Sequence, residues 1–219
     1  MSSRILAVDT TAEFGSIALG DEEILLHAPD GFGGVIFEHI ERLLQRTSLR
    51  LDDLDGFAAA SGPGSFTGVR IGLACVKGLA EATGKAAFGV SNLKALARFG
   101  ATDRRVPVID ARRGEVYAAL YGAAGDAIIP EMVCRFPVLL EQLPEQPVEF
   151  ISQDFGPFAA SLAGTRFAER PVVTVPRALA AVVARIAEER LAAGEIGDPV
   201  GLDANYVRRS DAELLFKPW

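Results

Sequence analysis

Ser61–Leu79, SGPGSFTGVRIGLACVKGL, holds the residue types and spacing in this chain that come closest to a recognisable chemistry. A short apolar run, Phe57–Ala60, feeds a glycine-rich turn that opens a helix. Free backbone N–H groups and the helix dipole at such a place favour an anion, so one reading is a phosphate cradle. It is not a Walker A loop, because no Gly-Lys-Ser/Thr closes it. Nor is it a dinucleotide fingerprint, because Gly62, Gly64 and Gly68 have the wrong spacing and no acidic residue stands at the ribose position. Pro63 also removes one N–H from the cradle. The other reading is a tight strand-to-helix turn with Ser65 as N-cap. Serine-protease chemistry has no support, since neither Ser61 nor Ser65 sits in a nucleophile-elbow sequence. Of the two histidines, His39 lies on a predicted helix without a second ligand and His27 ends a predicted strand; no zinc-type motif contains either.

These residues need elements to hold them. Arg4–Asp9, Gly15–Gly20 and Glu23–His27 read as short strands, with Asp21-Glu22 as a turn. A glycine-rich loop, Asp30–Gly34, leads to a helix over Val35–Arg46. Phe57–Ala60 is a strand, followed by a helix from Ser65 to Thr83, a strand at Ala86–Val90 and a short helix at Asn92–Phe99. The second half begins in the same manner. Val106–Asp110 is a strand ending in Asp, as Arg4–Asp9 is, and Gly114–Tyr121 opens with Gly, as Gly15–Gly20 does. Further strands are expected at Ala127–Met132, Glu149–Ser152 and Val172–Val175. Helices are expected at Pro137–Gln142, Phe155–Ala163 and Arg177–Gly194. The repeated order βββαβα implies a duplicated α/β fold, a mixed sheet covered by helices in each half. The halves are expected at residues 1–101 and 102–219, the second reduced. The tail, Asp198–Trp219, carries Tyr206, Phe216 and Trp219 and is expected to dock on the body.

The helix over Ser65–Thr83 is unusual. Val69, Ile71, Leu73, Val76 and Leu79 are not confined to one stripe, and Gly68, Gly72, Ala74, Cys75, Gly78 and Ala80 add small residues around the cylinder. A helix of that kind is normally covered on every side. Glycine inside a helix costs about 1 kcal/mol relative to alanine, so Gly72 and Gly78 imply the close approach of another helix.

Composition narrows the classes. With 49% hydrophobic residues and a mean hydropathy of +0.24, the chain is a folded globular protein and not a disordered one. No apolar run has the length of a membrane span, and Asp9 interrupts the apolar stretch of MSSRILAVDT too early for a signal peptide. The expected compartment is the cytosol. Two cysteines, Cys75 and Cys134, make neither a disulfide framework nor a metal cluster. A net charge of −7 argues against nucleic-acid binding by the chain alone. Arg104-Arg105, Arg112-Arg113 and Arg208-Arg209 read singly as solvated surface pairs.

AVDTTAEFGSIAL, HIERLL, SGPGSFTGVRIGLACVKGLA, DARRGEVYAALY and NYVRRSDAE, in this order along nearly the whole chain, resemble the bacterial TsaB (YeaZ) proteins. Ile40 and Gln45 depart from the usual pattern of that family, and the loop Pro29–Val35 is unusual. The resemblance implies a duplicated actin/Hsp70/sugar-kinase-like (ASKHA) fold. It also implies a non-catalytic partner of the ligase TsaD which, with the ATPase TsaE, makes threonylcarbamoyladenosine beside the anticodon of tRNAs reading codons that begin with A. In the catalytic paralogue two histidines four apart on the first helix hold a metal. Here Leu43 stands in the second position after His39, so no bound metal is expected. In the actin-like superfamily aspartates equivalent to Asp9 and Asp110 face Mg²⁺ and phosphates, which makes these two the candidate cofactor-binding residues; the competing reading is that each caps the turn that follows it.

Two functions follow from different classes. The first is a scaffold without catalytic residues and without a cofactor of its own. Its partner interface is expected at Ile36, His39, Ile40, Leu43 and Leu44 on the first helix and Val69, Gly72 and Val76 on the second. It pairs with a TsaD-like ligase and a TsaE-like ATPase, dimerises when alone, and meets tRNA only through the complex. The second is an autonomous actin-like phosphotransferase acting on a small molecule. ATP turnover by the chain alone separates the two.

Overall fold

The computed structural model describes residues 3–207. The described residues divide into two compact units: those up to Ala95 with Pro176–Ala204, and Leu96–Val175 with Asn205 to Val207. In the first unit, β1 (Ile5–Asp9), β2 (Phe14–Leu19) and β3 (Glu22–His27) form an antiparallel meander. Then follow α1 (Ile36–Thr47), β4 (Gly56–Ala60), α2 (Phe66–Thr83), β5 (Ala86–Val90) and the short α3 (Asn92–Ala97). β4 runs parallel to β1, and β5 parallel to β4, so the sheet has the order β3-β2-β1-β4-β5.

The second unit repeats this pattern with β6 (Arg104–Arg112), β7 (Glu115–Gly122), β8 (Ala127–Arg135), α4 (Phe136–Gln142), β9 (Glu149–Ser152), α5 (Gly156–Leu162) and β10 (Val172–Thr174). Its sheet order is β10-β9-β6-β7-β8, the first sheet's order read from the other edge, with the same antiparallel and parallel pairs. Each half therefore carries a fifth strand beyond the βββαβα repeat, and this is the duplicated actin-like fold. The second half is reduced in its helices and not in its strands: α4 and α5 have 7 residues each, against 12 in α1 and 18 in α2.

The boundary differs from one at residue 101. The last helix, α6 (Ala180–Ala192), packs on β1, β2 and β4 of the first sheet, so Pro176–Ala204 belongs to the first unit. The side-chain pattern of the sheet accounts for this. Rows across the strands alternate: Leu19, Leu6, Phe57 and Ala87 join the core shared with α1 and α2, while Ala18, Ala7, Ala58 and Phe88 lie in the register row between. A row of alanines lets a helix lie close to the sheet. Arg190 of α6 stacks over the Phe88 ring, 5.0 Å from its centroid, and donates to the Gly89 carbonyl at 2.7 Å.

The start of α6 has no side-chain cap from its own turn. Instead the buried Ser16 Oγ accepts hydrogen bonds from the Leu179 and Ala180 N–H groups at 3.1 and 2.9 Å, and Glu23 Oε1 accepts from Ala181 N–H at 3.0 Å. A capping serine normally precedes its helix directly; here it comes from β2. Tyr206 is exposed, whereas Phe216, Trp219 and Arg208-Arg209 lie outside the described residues. Among the described residues no helix is long and apolar enough to cross a membrane.

Ser16→Ala leaves two buried N–H groups without their acceptor and is expected to lower the unfolding free energy by about 1–3 kcal/mol. Urea denaturation measures this, and an unchanged midpoint would show that the distant cap is unimportant to α6.

Candidate functional site

The glycine turn is closed by its own chain. Ser61 N–H donates to the Val90 carbonyl at 2.8 Å, Gly62 N–H to Asn92 Oδ1 at 3.0 Å, and Ser65 N–H to the Thr11 carbonyl at 2.6 Å. Gly68 N–H is taken by Ser65 Oγ at 3.3 Å, which makes Ser65 the N-cap of α2. Four N–H groups of the turn are thus engaged within the chain. A Cβ built on Gly64 would stand 2.5 Å from the Thr11 carbonyl oxygen, and one on Gly68 would stand 1.9 Å from that of Thr10. The glycines serve the approach of the β1–β2 turn, and the capped-turn reading holds over the cradle.

Behind the turn lies a buried polar chain. Asp9 Oδ1 accepts from Thr11 N–H at 2.9 Å and Thr11 Oγ1 at 2.6 Å, and Thr11 Oγ1 accepts in turn from Asn92 Nδ2 at 2.7 Å. Asp9 is 2% exposed. Burial pushes its carboxyl up from the ordinary 3.8 and outweighs the opposing hydrogen bonds from Thr11 and Asn92; the charge of Glu23 adds to the rise. Asp110, in the second unit, repeats the first of these contacts, with Oδ1 accepting from Arg112 N–H at 2.8 Å. Each aspartate thus caps the turn after its strand. Where the first unit has the glycine turn, the second has Ser152–Phe155 between β9 and α5, closed by Gly156 N–H donating to Asp154 Oδ1 at 2.9 Å.

Most of the residues expected at a partner interface lie in the core. Ile36, Ile40 and Leu43 of α1 and Val69 and Val76 of α2 are buried against the sheet. Gly72 faces Thr10, whose Oγ1 would be 2.7 Å from an added Cβ, so the close approach is to the end of β1 and not to another helix. An apolar stripe on a helix satisfies its own sheet first. Leu44 and His39 are half-buried, and His39 Nδ1 has no hydrogen-bond partner among the described residues. Leu43, one helical turn after His39, is wholly buried, and no cluster of three or more His, Cys, Asp or Glu occurs among the described residues. Both cysteines are free; burial pushes the Cys75 thiol up to about 12, as suits a packing residue.

The outward face of the same helices carries other residues. Phe37 is 58% exposed and Phe66 47%. The Arg70 guanidinium lies 3.6 Å from the centroid of the Phe66 ring. Ala74 and Gly78 are exposed, four apart, with Ile71 half-buried beside them. Small residues spaced in this way let another surface come close to a helix.

The fold and this turn define a class: an actin-like duplication whose first glycine turn is sealed by its own strand end. Comparison with known proteins places it further. Residues 34–193, well over half of the chain, match the family model described as TsaD, tRNA N6-adenosine threonylcarbamoyltransferase. The chain is 40% identical over 127 residues to the tRNA threonylcarbamoyladenosine biosynthesis protein TsaB of Escherichia coli, covering 54% of each chain. It is 33% identical over 162 residues to TsaB of Bacillus subtilis, covering 68% of this chain and 71% of the relative. The chain thus spans about half the length of the first of these relatives. A Pseudomonas aeruginosa structure, described as an uncharacterized protein with similarity to peptidase YEAZ, superposes with a TM-score of 0.78 at 26% identity, covering 94% of this chain and 100% of the other. The chain belongs to the TsaB (YeaZ) family.

Because the folded state holds the Asp9 proton more tightly than the unfolded chain does, its contribution to stability is fully present below the unfolded value of 3.8. That contribution is lost as pH rises through the higher folded value. Asp9→Asn keeps an acceptor for Thr11 without a charge, so it is expected to be at least as stable as wild type at pH 7. Its stability should also vary less over the acid range. Asp9→Ala removes the acceptor and should lose about 1–3 kcal/mol. Denaturant titrations from pH 4 to 8 decide this; an Asn variant as weak as the Ala variant at pH 7 would show that the ionised carboxylate is required.

Proposed function

We propose that this chain is a non-catalytic partner subunit in the formation of threonylcarbamoyladenosine beside the anticodon of tRNAs that read codons beginning with A. The observation that carries this reading is the pairing of two features. The chain matches the threonylcarbamoyltransferase family over most of its length, yet its glycine turn is filled by Thr10 and Thr11. A chain with that ancestry and a closed turn is suited to assembling with an active relative more than to turning over a nucleotide itself. Asp9 and Asp110 act in this reading as turn caps in place of ligands to a magnesium nucleotide. The partners are a TsaD-like transferase and a TsaE-like ATPase, with tRNA engaged through the complex, in the cytoplasm.

The interface in this proposal is the outward face of α1 and α2: Phe37 and Leu44 on the first helix, and Phe66, Ile71, Ala74 and Gly78 on the second. Exposed aromatics on both helices and a small-residue stripe on the second are apolar features of the kind that partners cover. The free chain self-associates through this face, and the transferase competes for it.

Ala74→Arg sets a long charged side chain on the stripe without entering the core. It is expected to weaken the homodimer and the complex with the transferase by roughly tenfold or more, while circular dichroism stays native. Sedimentation of wild type and variant, with and without the transferase of the same organism, measures both. Unchanged assembly would put the interface elsewhere. ATP hydrolysis by the free chain that disappears in Asp9→Ala with the fold intact would replace this reading with a phosphotransferase.

A further inference from the structure

The turn between β6 and β7 has a backbone that arginine does not favour. Arg112, Arg113 and Gly114 all lie at positive φ, 65, 57 and 76°. Arg112 pairs with Glu115, so Arg113 and Gly114 are the two residues of a tight hairpin, and the register slips between Asp110 and Arg112. Hairpins of this kind use Asn, Asp or Gly at such angles, because a larger L-residue is strained there. Two consecutive arginines accept that strain here, and it persists only where the surroundings hold it. The hold is visible: Asp110 Oδ1 accepts the Arg112 N–H at 2.8 Å, and Asp110 Oδ2 lies 3.4 Å from Arg112 Nη1.

The sheet brings a third guanidinium to the same end. Arg112 pairs across the strands with Glu115, and Glu115 with Arg135, the last residue of β8. Arg112, Arg113 and Arg135 are all exposed. Asp110 holds Arg112, and burial pushes the Cys134 thiol up, with the nearby Glu115 carboxylate adding to the rise. Arg113 and Arg135 have no ion partner among the described residues. In a chain of net charge −7, Arg113 and Arg135 with Arg112 make a local cationic point at this end of the sheet. Guanidinium groups fit phosphate oxygens in a fixed, bidentate geometry.

We propose that the β6–β7 turn, with Arg113 at its tip and Arg112 and Arg135 beside it, is a phosphate-contact point through which this chain touches the tRNA backbone once the complex has formed. This rests on the reading that the complex handles tRNA. The contact positions the RNA and reads no sequence, since it meets phosphates and not bases. The overall negative charge keeps the free chain from holding RNA alone, so the contact acts beside those of the partner.

The test uses the full chain assembled with the transferase, and an unmodified tRNA transcript as the probe, with affinity measured by fluorescence anisotropy over a range of salt. Arg113→Asn fits the turn's angles without strain, so its melting temperature should equal or exceed that of wild type. Its tRNA affinity should fall roughly 3- to 10-fold. The slope of log affinity against log salt should become shallower by about 0.7–0.9, because one phosphate fewer is neutralised. Arg135→Gln should act in the same direction. Unchanged affinity and slope in both variants, with wild type binding normally, would overturn this inference alone. Weakened binding of the transferase in place of the RNA would show an acidic protein surface as the occupant and also overturn it. If the wild-type complex holds no tRNA, the functional reading above fails together with the inference.

Discussion

Gly68 against Thr10 is the contact on which the first unit depends. A side chain at Gly68 would overlap the Thr10 carbonyl oxygen, and one at Gly72 would press on the Thr10 hydroxyl. The absence of both lets α2 settle onto the end of β1, where Thr10 Oγ1 donates to the Gly68 carbonyl at 2.7 Å. That height brings Ser65 N–H within reach of the Thr11 carbonyl. It also turns Thr11 Oγ1 toward Asp9 and Asn92, so that the buried polar atoms satisfy one another. The turn, the N-cap of α2 and the start of α3 are thereby fixed by one close approach. Its energy is modest, since each net hydrogen bond contributes about 1 kcal/mol; its effect is geometric.

The same approach has a functional side. A glycine turn at a helix N-terminus is an anion site when its N–H groups point at solvent, and here those of Gly62, Ser65 and Gly68 point at the chain's own oxygens. The strand-end aspartates follow suit, each engaged by the turn behind it. What the first unit leaves outward is the far face of α1 and α2, with exposed phenylalanines and the small residues Ala74 and Gly78. In our reading, this surface is what the first unit contributes.

Much of the architecture was legible in the sequence. Strand-length apolar runs broken by Gly, Asp and Asn mark the strands, most of them within a residue or two. β6 begins at Arg104, inside a polar stretch that reads as a boundary, and β8 runs on to Arg135, past the expected end at Met132. The shared strand-end Asp and strand-opening Gly reveal the duplication. Ser65 was recognisable as an N-cap because a serine ahead of a helix has one common use. The outward face of α2 was not legible. Its residues are apolar or small nearly all round, so no stripe declares which side meets the sheet, and Gly72 reads equally well as inward or outward. On α1 the stripe Ile36–Ile40–Leu43 is clear, but the sheet of its own unit claims it and no partner is needed. The return of α6 was hidden for a different reason: Ser16 and the N–H groups that it caps stand 163 and 164 residues apart. Short-range patterns carry nothing about such a pair. Asn92 was hidden because a polar residue opening a helix looks like an ordinary cap.

Whether the glycine turn is sealed is open to direct observation. Titrating ¹⁵N-labelled free chain with Mg·ATP at cellular nucleotide concentration, and following the amides of Gly62, Ser65 and Gly68, reports whether an anion can enter. Those resonances should stay in place, because their N–H groups are already held by Asn92, Thr11 and Ser65. Saturable shifts at these amides, abolished in Asp9→Ala with the fold intact, would mean that the turn opens to phosphate and that the chain works on nucleotides itself.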